Sequence, residues 1–251
     1  MNMRILRIRQ FLATLFIAAM ISPFGSSGQT TDKASDGQIT ELKFPYRKGF
    51  HLSYSGKVID YDRYNFPEST LPSTFTYYIS DEVKEGDRWI VNFQFHSITD
   101  TNTISFDKTY LFIDDGGMYF WIENDPQNVR NGVQAKLKEK KTHAITLPLH
   151  AGDTWKTMGY DEKKAQFTCS TLDTVIETKK GSIHCFAIYS VNAVQSDKEY
   201  TVYSKTTDYY NQDIGKVATN TLVYVVFLAN GKSRRINESD YVLEDYYKDE
   251  K

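Results

Sequence analysis

Arg88-Trp89-Ile90-Val91-Asn92-Phe93-Gln94-Phe95-His96 places large apolar side chains at Trp89, Val91, Phe93 and Phe95, with Asn92 and Gln94 between them. A two-residue period turns one face of an extended strand toward a core and the other toward water. The stretch therefore predicts a β-strand lying over an apolar core. Working outward, residues 50–60 begin the folded body, and residues 75–79 lead through Lys84-Glu85-Gly86-Asp87 into this strand. Residues 110–113 and 118–122 flank Asp114-Asp115-Gly116-Gly117, whose residue types suit a tight hairpin. Residues 167–178 and 183–191 form a long hairpin around Lys179-Lys180-Gly181, and a strand at 200–205 follows.

The run Leu222-Val223-Tyr224-Val225-Val226-Phe227-Leu228 is continuously apolar, as expected of a strand buried on both faces or covered by a neighbour. Asn230-Gly231 behind it is the strongest single hairpin signal in the chain. Helical periodicity is nearly absent; its best candidate, residues 132–141, lacks an apolar face. With 18 Tyr and 15 Phe but only 6 Pro, the composition suits pleated, half-buried surfaces. The fold class expected is all-β: antiparallel curved sheets or barrels, in two similar tandem halves packed as one body.

The halves can be laid over each other. Phe44-Pro45-Tyr46-Arg47-Lys48-Gly49 parallels Leu147-Pro148-Leu149-His150-Ala151-Gly152, and 75–95 parallels 167–189. A strand opening on tyrosine then follows in each, at Tyr110 and at Tyr200. Two curved antiparallel units are implied, 41–144 and 145–251, the second ending in a short polar tail.

Ahead of them, Arg4, Arg7 and Arg9 precede the apolar stretch 11–21, Pro23 and the small residues Gly25-Ser26-Ser27-Gly28. That order predicts a secretory signal over 1–28, cut before Gln29, and an exported protein, periplasmic or extracellular. The apolar run falls short of the roughly 20 residues a spanning helix needs. Residues 29–40 read as a flexible polar leader. Removing 1–28 takes three arginines and no acid, leaving 27 basic against 32 acidic residues, a net charge of -5. A mildly acidic body argues against nucleic acid as a partner. Lys136, Lys138, Lys140 and Lys141 form the only basic run noted, read as a solvated face.

No catalytic or metal motif stands out. His51, His96, His143, His150 and His184 lack metal-ligand spacing, and the Asp114-Asp115-Gly116-Gly117 stretch lacks the alternating oxygens of a calcium loop, so neither metal nor cofactor is expected. No serine sits in a nucleophile elbow. Cys185 and His184, adjacent on a strand, point to opposite faces. A hairpin at Gly181 sets Cys185 opposite a residue near Val175, away from Cys169, so two buried thiols are expected rather than a disulfide. Glu82, Asp87, Asp107, Glu123 and Glu177 are the acids available to a carboxylate-dependent hydrolase. The aromatic pairs remain. Tyr77-Tyr78, Tyr119-Phe120-Trp121 and Tyr209-Tyr210 put one ring inside and another on the opposite face of a strand. From these, Tyr78, Tyr119, Trp121 and Tyr209 are the candidate ligand-binding residues.

Three further stretches carry a resemblance. Pro148-Leu149 with Gly152 and Trp155, Glu177-Thr178 with Gly181, and Tyr209-Tyr210 with Ile214-Gly215-Lys216-Val217 resemble a group of bacterial exported proteins of unknown function. In that group a P-L-x-x-G-x-x-W start, an E-T-x-x-G hairpin and a Y-Y-x-x-x-I-G-x-V segment recur. The group is similar in architecture to the curved sheets of lipoprotein carriers (LolA-like) or related β-barrels. The resemblance covers about 80 residues, rests on turn and core positions, and implies fold and compartment but no activity. The reading is a non-catalytic envelope protein binding a lipid, a glycan or an envelope partner protein. Its alternatives are a carboxylate hydrolase and a purely structural subunit.

Overall fold

The computed structural model describes residues 37–85, 88–99, 102–114, 116–122, 142–158 and 164–249. The expected export signal, the expected leader as far as residue 36, residues 132–141 and the lysines at 136–141 lie outside them. Twelve strands make up the described elements: β1 (Phe50–Tyr61), β2 (Pro67–Glu85), β3 (Arg88–Thr99), β4 (Asn102–Asp114), β5 (Gly117–Ile122), β6 (Thr142–Thr146), β7 (Thr154–Met158), β8 (Lys164–Thr178), β9 (Gly181–Ser196), β10 (Tyr200–Asn211), β11 (Gly215–Phe227) and β12 (Ser233–Lys248).

All twelve belong to one antiparallel sheet in the order β6-β5-β4-β3-β2-β1-β12-β11-β10-β9-β8-β7. Each half is a six-strand meander, and β1 of the first pairs with β12 of the second from Phe50↔Lys248 to Asp60↔Asn237. The edge strands β6 and β7 approach each other without pairing, so the sheet curls strongly yet is not a closed barrel. The boundary expected at residue 144 falls inside β6.

Alternation places the core on the concave face. Leu52, Tyr54 and Val58 of β1, Phe75, Tyr77 and Ile79 of β2, Val91 of β3 and Tyr241 and Leu243 of β12 are buried there. Their rings interlock: Tyr54 stacks on Phe75 at 4.3 Å, and Tyr241 meets Phe75 edge-on at 4.7 Å. Tyr241 reaches across β1 to donate to Ser73 Oγ at 2.8 Å, passing over Gly56. A Cβ at Gly56 would lie 2.7 Å from the Tyr241 ring and 1.8 Å from the Asp240 carbonyl oxygen.

The sequence parallel between the halves has a structural counterpart. Phe50 N–H donates to Arg47 O at 2.9 Å, and Asp153 N–H donates to His150 O at 3.2 Å. Each turn carries a glycine at its third position in the left-handed region, Gly49 at φ 82° and Gly152 at φ 89°. The lead-in to each half then docks on the other half. Lys43 N–H donates to Gln212 O beside the β10–β11 turn, and Leu147 N–H donates to Gly116 O beside the β4–β5 turn.

One expectation needs correcting at its edge. The flexible leader expected over 29–40 ends sooner, because Ile39 is buried and bridges Leu149 through hydrogen bonds in both directions. From there Leu42, Phe44 and Tyr46 run into the core, with the Phe44 ring stacked on Tyr210 at 6.0 Å. The 222–228 run is buried at Leu222, Val223 and Val225, whereas Leu228 emerges into solvent at the hairpin tip.

Candidate functional site

Two constellations outside ordinary apolar packing stand out, one inside the sheet and one on its convex face. The inner one is built by the β10–β11 hairpin. Tyr209 pairs with Ala218 and Tyr210 with Lys216, so the ladder skips Val217. A bulge of this kind re-aims a side chain. Lys216 thereby turns inward, and its Nζ lies 2.8 Å from Asp208 Oδ1, both side chains being about 5% exposed. Tyr210 donates to Asp208 Oδ2 at 3.5 Å.

The backbone of Lys216 is held as firmly. Its N–H donates to the Tyr46 hydroxyl at 2.9 Å, and its carbonyl accepts from Tyr54 at 2.7 Å. Gly215, at φ 93°, leaves room for the Tyr46 hydroxyl, which would lie 2.1 Å from a Cβ there. Burial raises the Asp208 carboxyl above its ordinary range and lowers Lys216 below its own, while each charge pulls the other partway back. Burial likewise pushes the hydroxyls of Tyr46, Tyr54, Tyr77 and Tyr210 upward. An enclosed ion pair of this sort fixes geometry, with its desolvation cost offsetting much of its attraction.

The outer constellation lies across β2, β1 and β12. His51 is paired with Tyr78 on one side and Tyr247 on the other. Its ring stacks on Tyr247 at 4.4 Å and 9° and leans on Tyr78 at 4.6 Å and 35°. Asp249 Oδ1 lies 3.1 Å from His51 Nε2. Lys48 and Glu82 border the strip, the Lys48 N–H donating to Glu82 Oε2 at 2.9 Å. Tyr247 is 51% exposed, so the stack is open to solvent at that end.

Of the four residues singled out from sequence, Tyr78 and Tyr209 stand apart on strands that are not neighbours. Tyr78 belongs to the outer strip, with Tyr77 buried behind it, as alternation requires. Tyr209 is half-buried on β10, separated from β2 by β11, β12 and β1. Tyr119 and Trp121 lie on β5, and their side chains lie outside those described. Sequence reasoning missed His51, whose signal was only a strand position between the buried Phe50 and Leu52, and Tyr247, which follows the partly buried Tyr246. It also missed the role of Lys216, although the Y-Y-x-x-x-I-G-x-V stretch spans the hairpin that aims it.

Other chemistry is sparse. Among the described residues no three His, Cys, Asp or Glu side chains group as metal ligands. His150 pairs with Asp153 and His184 with Asp173, each a single carboxylate at a turn or hairpin surface. Cys185 pairs across the hairpin with Thr174, one residue from the expected Val175, and Cys169 with Ile188. Both are free and buried, and burial pushes both thiols up to about 12. Among the hydrolase candidates, Glu177 accepts from Ser182 at the hairpin end and Glu82 sits at the outer strip. The side chains of Asp87, Asp107 and Glu123 lie outside those described. Asp208 is the only acid buried among the described residues, and it faces a lysine rather than a second carboxylate.

No family model matches the chain, and no curated protein matches it. Two solved structures are similar in shape. One is a Bacteroides fragilis protein assigned as exported, with a YmcC-like fold; it shares 14% identity, covers 83% of this chain and 100% of its own, and gives a TM-score of 0.44. The other is a Parabacteroides distasonis protein assigned as a lipoprotein, with 14% identity, 84% and 100% coverage, and a TM-score of 0.39. Likeness at this level carries no inference to function. Among the described residues no helix is long and apolar enough to cross a membrane.

Proposed function

We infer that this protein is a non-catalytic component of the cell envelope, exported by its N-terminal signal, and that it binds a glycan on the convex strip Tyr78–His51–Tyr247. The observation that carries this reading is the stack of three rings on adjacent strands, whose end member Tyr247 is half exposed. Strands about 4.8 Å apart spread the stack over roughly 10 Å, so the outer face of Tyr247 and the ring edges beside it can meet about one or two sugars. Asp249, Glu82 and Lys48 at its border supply groups for sugar hydroxyls. An apolar ligand on the concave face is less well supported, because Phe44 and Tyr46 pack there with the chain's own core.

The test is a glycan array probed with the wild type and with Tyr78→Ala and Tyr247→Ala. Each ring is worth about 0.5–1.5 kcal/mol by analogy with aromatic pairs, so each variant should weaken a bound glycan roughly two- to tenfold. A wild type that retains no glycan, or a double variant that binds as well as wild type, would remove the reading.

A further inference from the structure

The β8–β9 hairpin is embedded in the sheet for only part of its length. β7 pairs with β8 from Thr154↔Thr168 to Met158↔Lys164, and Cys169 is tied through its carbonyl to Gly152 N–H and through its own N–H to Asp153 O. On the other flank β10 pairs with β9 as far as Tyr210↔Phe186. Past those rungs, residues 174–185 run on as a two-stranded ribbon, with no third strand beside them among the described residues. The ladder breaks at the same place. Between Cys169↔Ile188 and Thr174↔Cys185 the register shifts twice, β8 spending two residues more than β9. Extra residues on one strand alone bend a ribbon.

The bend carries the tip past the β10–β11 turn to β12, which lies three places from β9 in the sheet. On the way the Asn211 side-chain amide donates to the His184 carbonyl at 2.9 Å. At the tip Lys179 pairs with Glu244, and Lys180 Nζ lies 2.7 Å from Asp245 Oδ1 and 5.8 Å from the centre of the Tyr246 ring. The underside is apolar, Ile176 and Ile183 packing partly buried against the core, while Val175 on the upper side is exposed.

A two-stranded ribbon is marginally stable by itself in water, so these contacts decide where the tip lies. Its polar contacts with β12 are weak ones. The four side chains of the two ion pairs are each at least a third exposed, and pairs so placed contribute little and fade with salt. A firm base, a bend and a lightly held tip make a unit that opens below the cost of unfolding the sheet.

We propose that residues 174–185 form a flap, latched to β12 by Lys179 and Lys180, that lifts about the bend at 170–173 and uncovers the apolar interior beneath Ile176 and Ile183. The glycan strip does not enter this inference. The two buried thiols report on it directly, because Cys185 lies on the tip side of the break and Cys169 on the embedded side. Burial raises both thiols to about 12, so ionisation does not separate their reactivities.

The folded full chain is treated with iodoacetamide at fixed pH, and alkylation at each cysteine is followed by mass spectrometry of its peptides. Cys185 should react about tenfold faster than Cys169 or more, with the weaker dependence on added urea. Raising the salt, or combining Lys179→Ala with Lys180→Ala at these exposed positions, should speed Cys185 a further three- to tenfold, roughly, and leave Cys169 unchanged. Equal rates with equal urea dependence would mean that the tip opens only with the whole sheet, and the proposal falls. It falls too if Cys185 is indifferent to both salt and the lysine variant, or if both thiols speed up together.

Discussion

Tyr46, Tyr54, Tyr77 and Tyr210 are buried phenols whose ionised forms the interior disfavours, each hydroxyl being raised above its ordinary value of 10.0. Above pH 10 the unfolded chain releases these protons and the folded chain keeps them, so stability falls as pH rises from there. Each contributes a slope of about 1 kcal/mol or slightly more per pH unit, and the four together about 5 kcal/mol. Lys216 acts in the opposite sense, since its lowered value lets stability rise with pH, but only up to about 10.5. Alkaline unfolding should therefore be steep. Tyrosinate absorbance followed beside circular dichroism should show these phenols, among 18 tyrosines, ionising only as the sheet is lost. If all tyrosines titrated near pH 10 with the sheet intact, the burial described here would be wrong. At this scale the sequence was partly legible. Strict alternation separates Tyr77 from Tyr78, but the inward turn of Lys216 depends on a skipped rung at Val217, which no local pattern announces.

Hairpins were the most legible elements, because their turn chemistry is local. Gly231 at φ 65° accompanies Asn230, Gly117 at φ 127° closes the β4–β5 turn, and Gly181 at φ 105° closes the β8–β9 turn. The β1–β12 pairing and the docking of the lead-in at 37–49 were not legible, since both depend on contacts between residues more than about 100 positions apart. Gly56 belongs to that non-local class. Its need for glycine comes from Tyr241 and the Asp240 carbonyl on the neighbouring strand, and its own backbone lies outside the left-handed region. Gly152 is the reverse case, with nothing within 4 Å of an added Cβ and a φ of 89°. Gly152→Ala should thus cost about 1 kcal/mol from backbone strain alone. Gly56→Ala should cost about 3 kcal/mol, because backbone and a packed ring must both move. Urea unfolding of the two variants decides the matter; a Gly56→Ala variant no less stable than Gly152→Ala would show that β1 and β12 are not packed as described.

The whole molecule is held by two kinds of link between its halves, the β1–β12 ladder and the reciprocal docking of the lead-ins on Gln212 and Gly116. The matching turns at Gly49 and Gly152 make the halves alike, yet the core is shared. Tyr46 and Tyr54 of the first half close over Lys216 of the second, and Phe44 stacks on Tyr210. Separating the halves would expose an edge on β1 and another on β12 and leave the Asp208–Lys216 pair without its tyrosines. Neither half is therefore expected to be stable alone, and heat or denaturant should unfold both together. Trp89 and Trp121 lie in the first half and Trp155, stacked on Phe167 at 5.6 Å, in the second. Replacing Trp155 by Phe isolates the first half's signal, and replacing Trp89 and Trp121 by Phe isolates the second's. The two signals should share one midpoint, with calorimetric and van't Hoff enthalpies equal. Two midpoints would mean that the resemblance between the halves extends to independent stability, and that the shared aromatic core is a contact between finished units rather than the condition for either to fold.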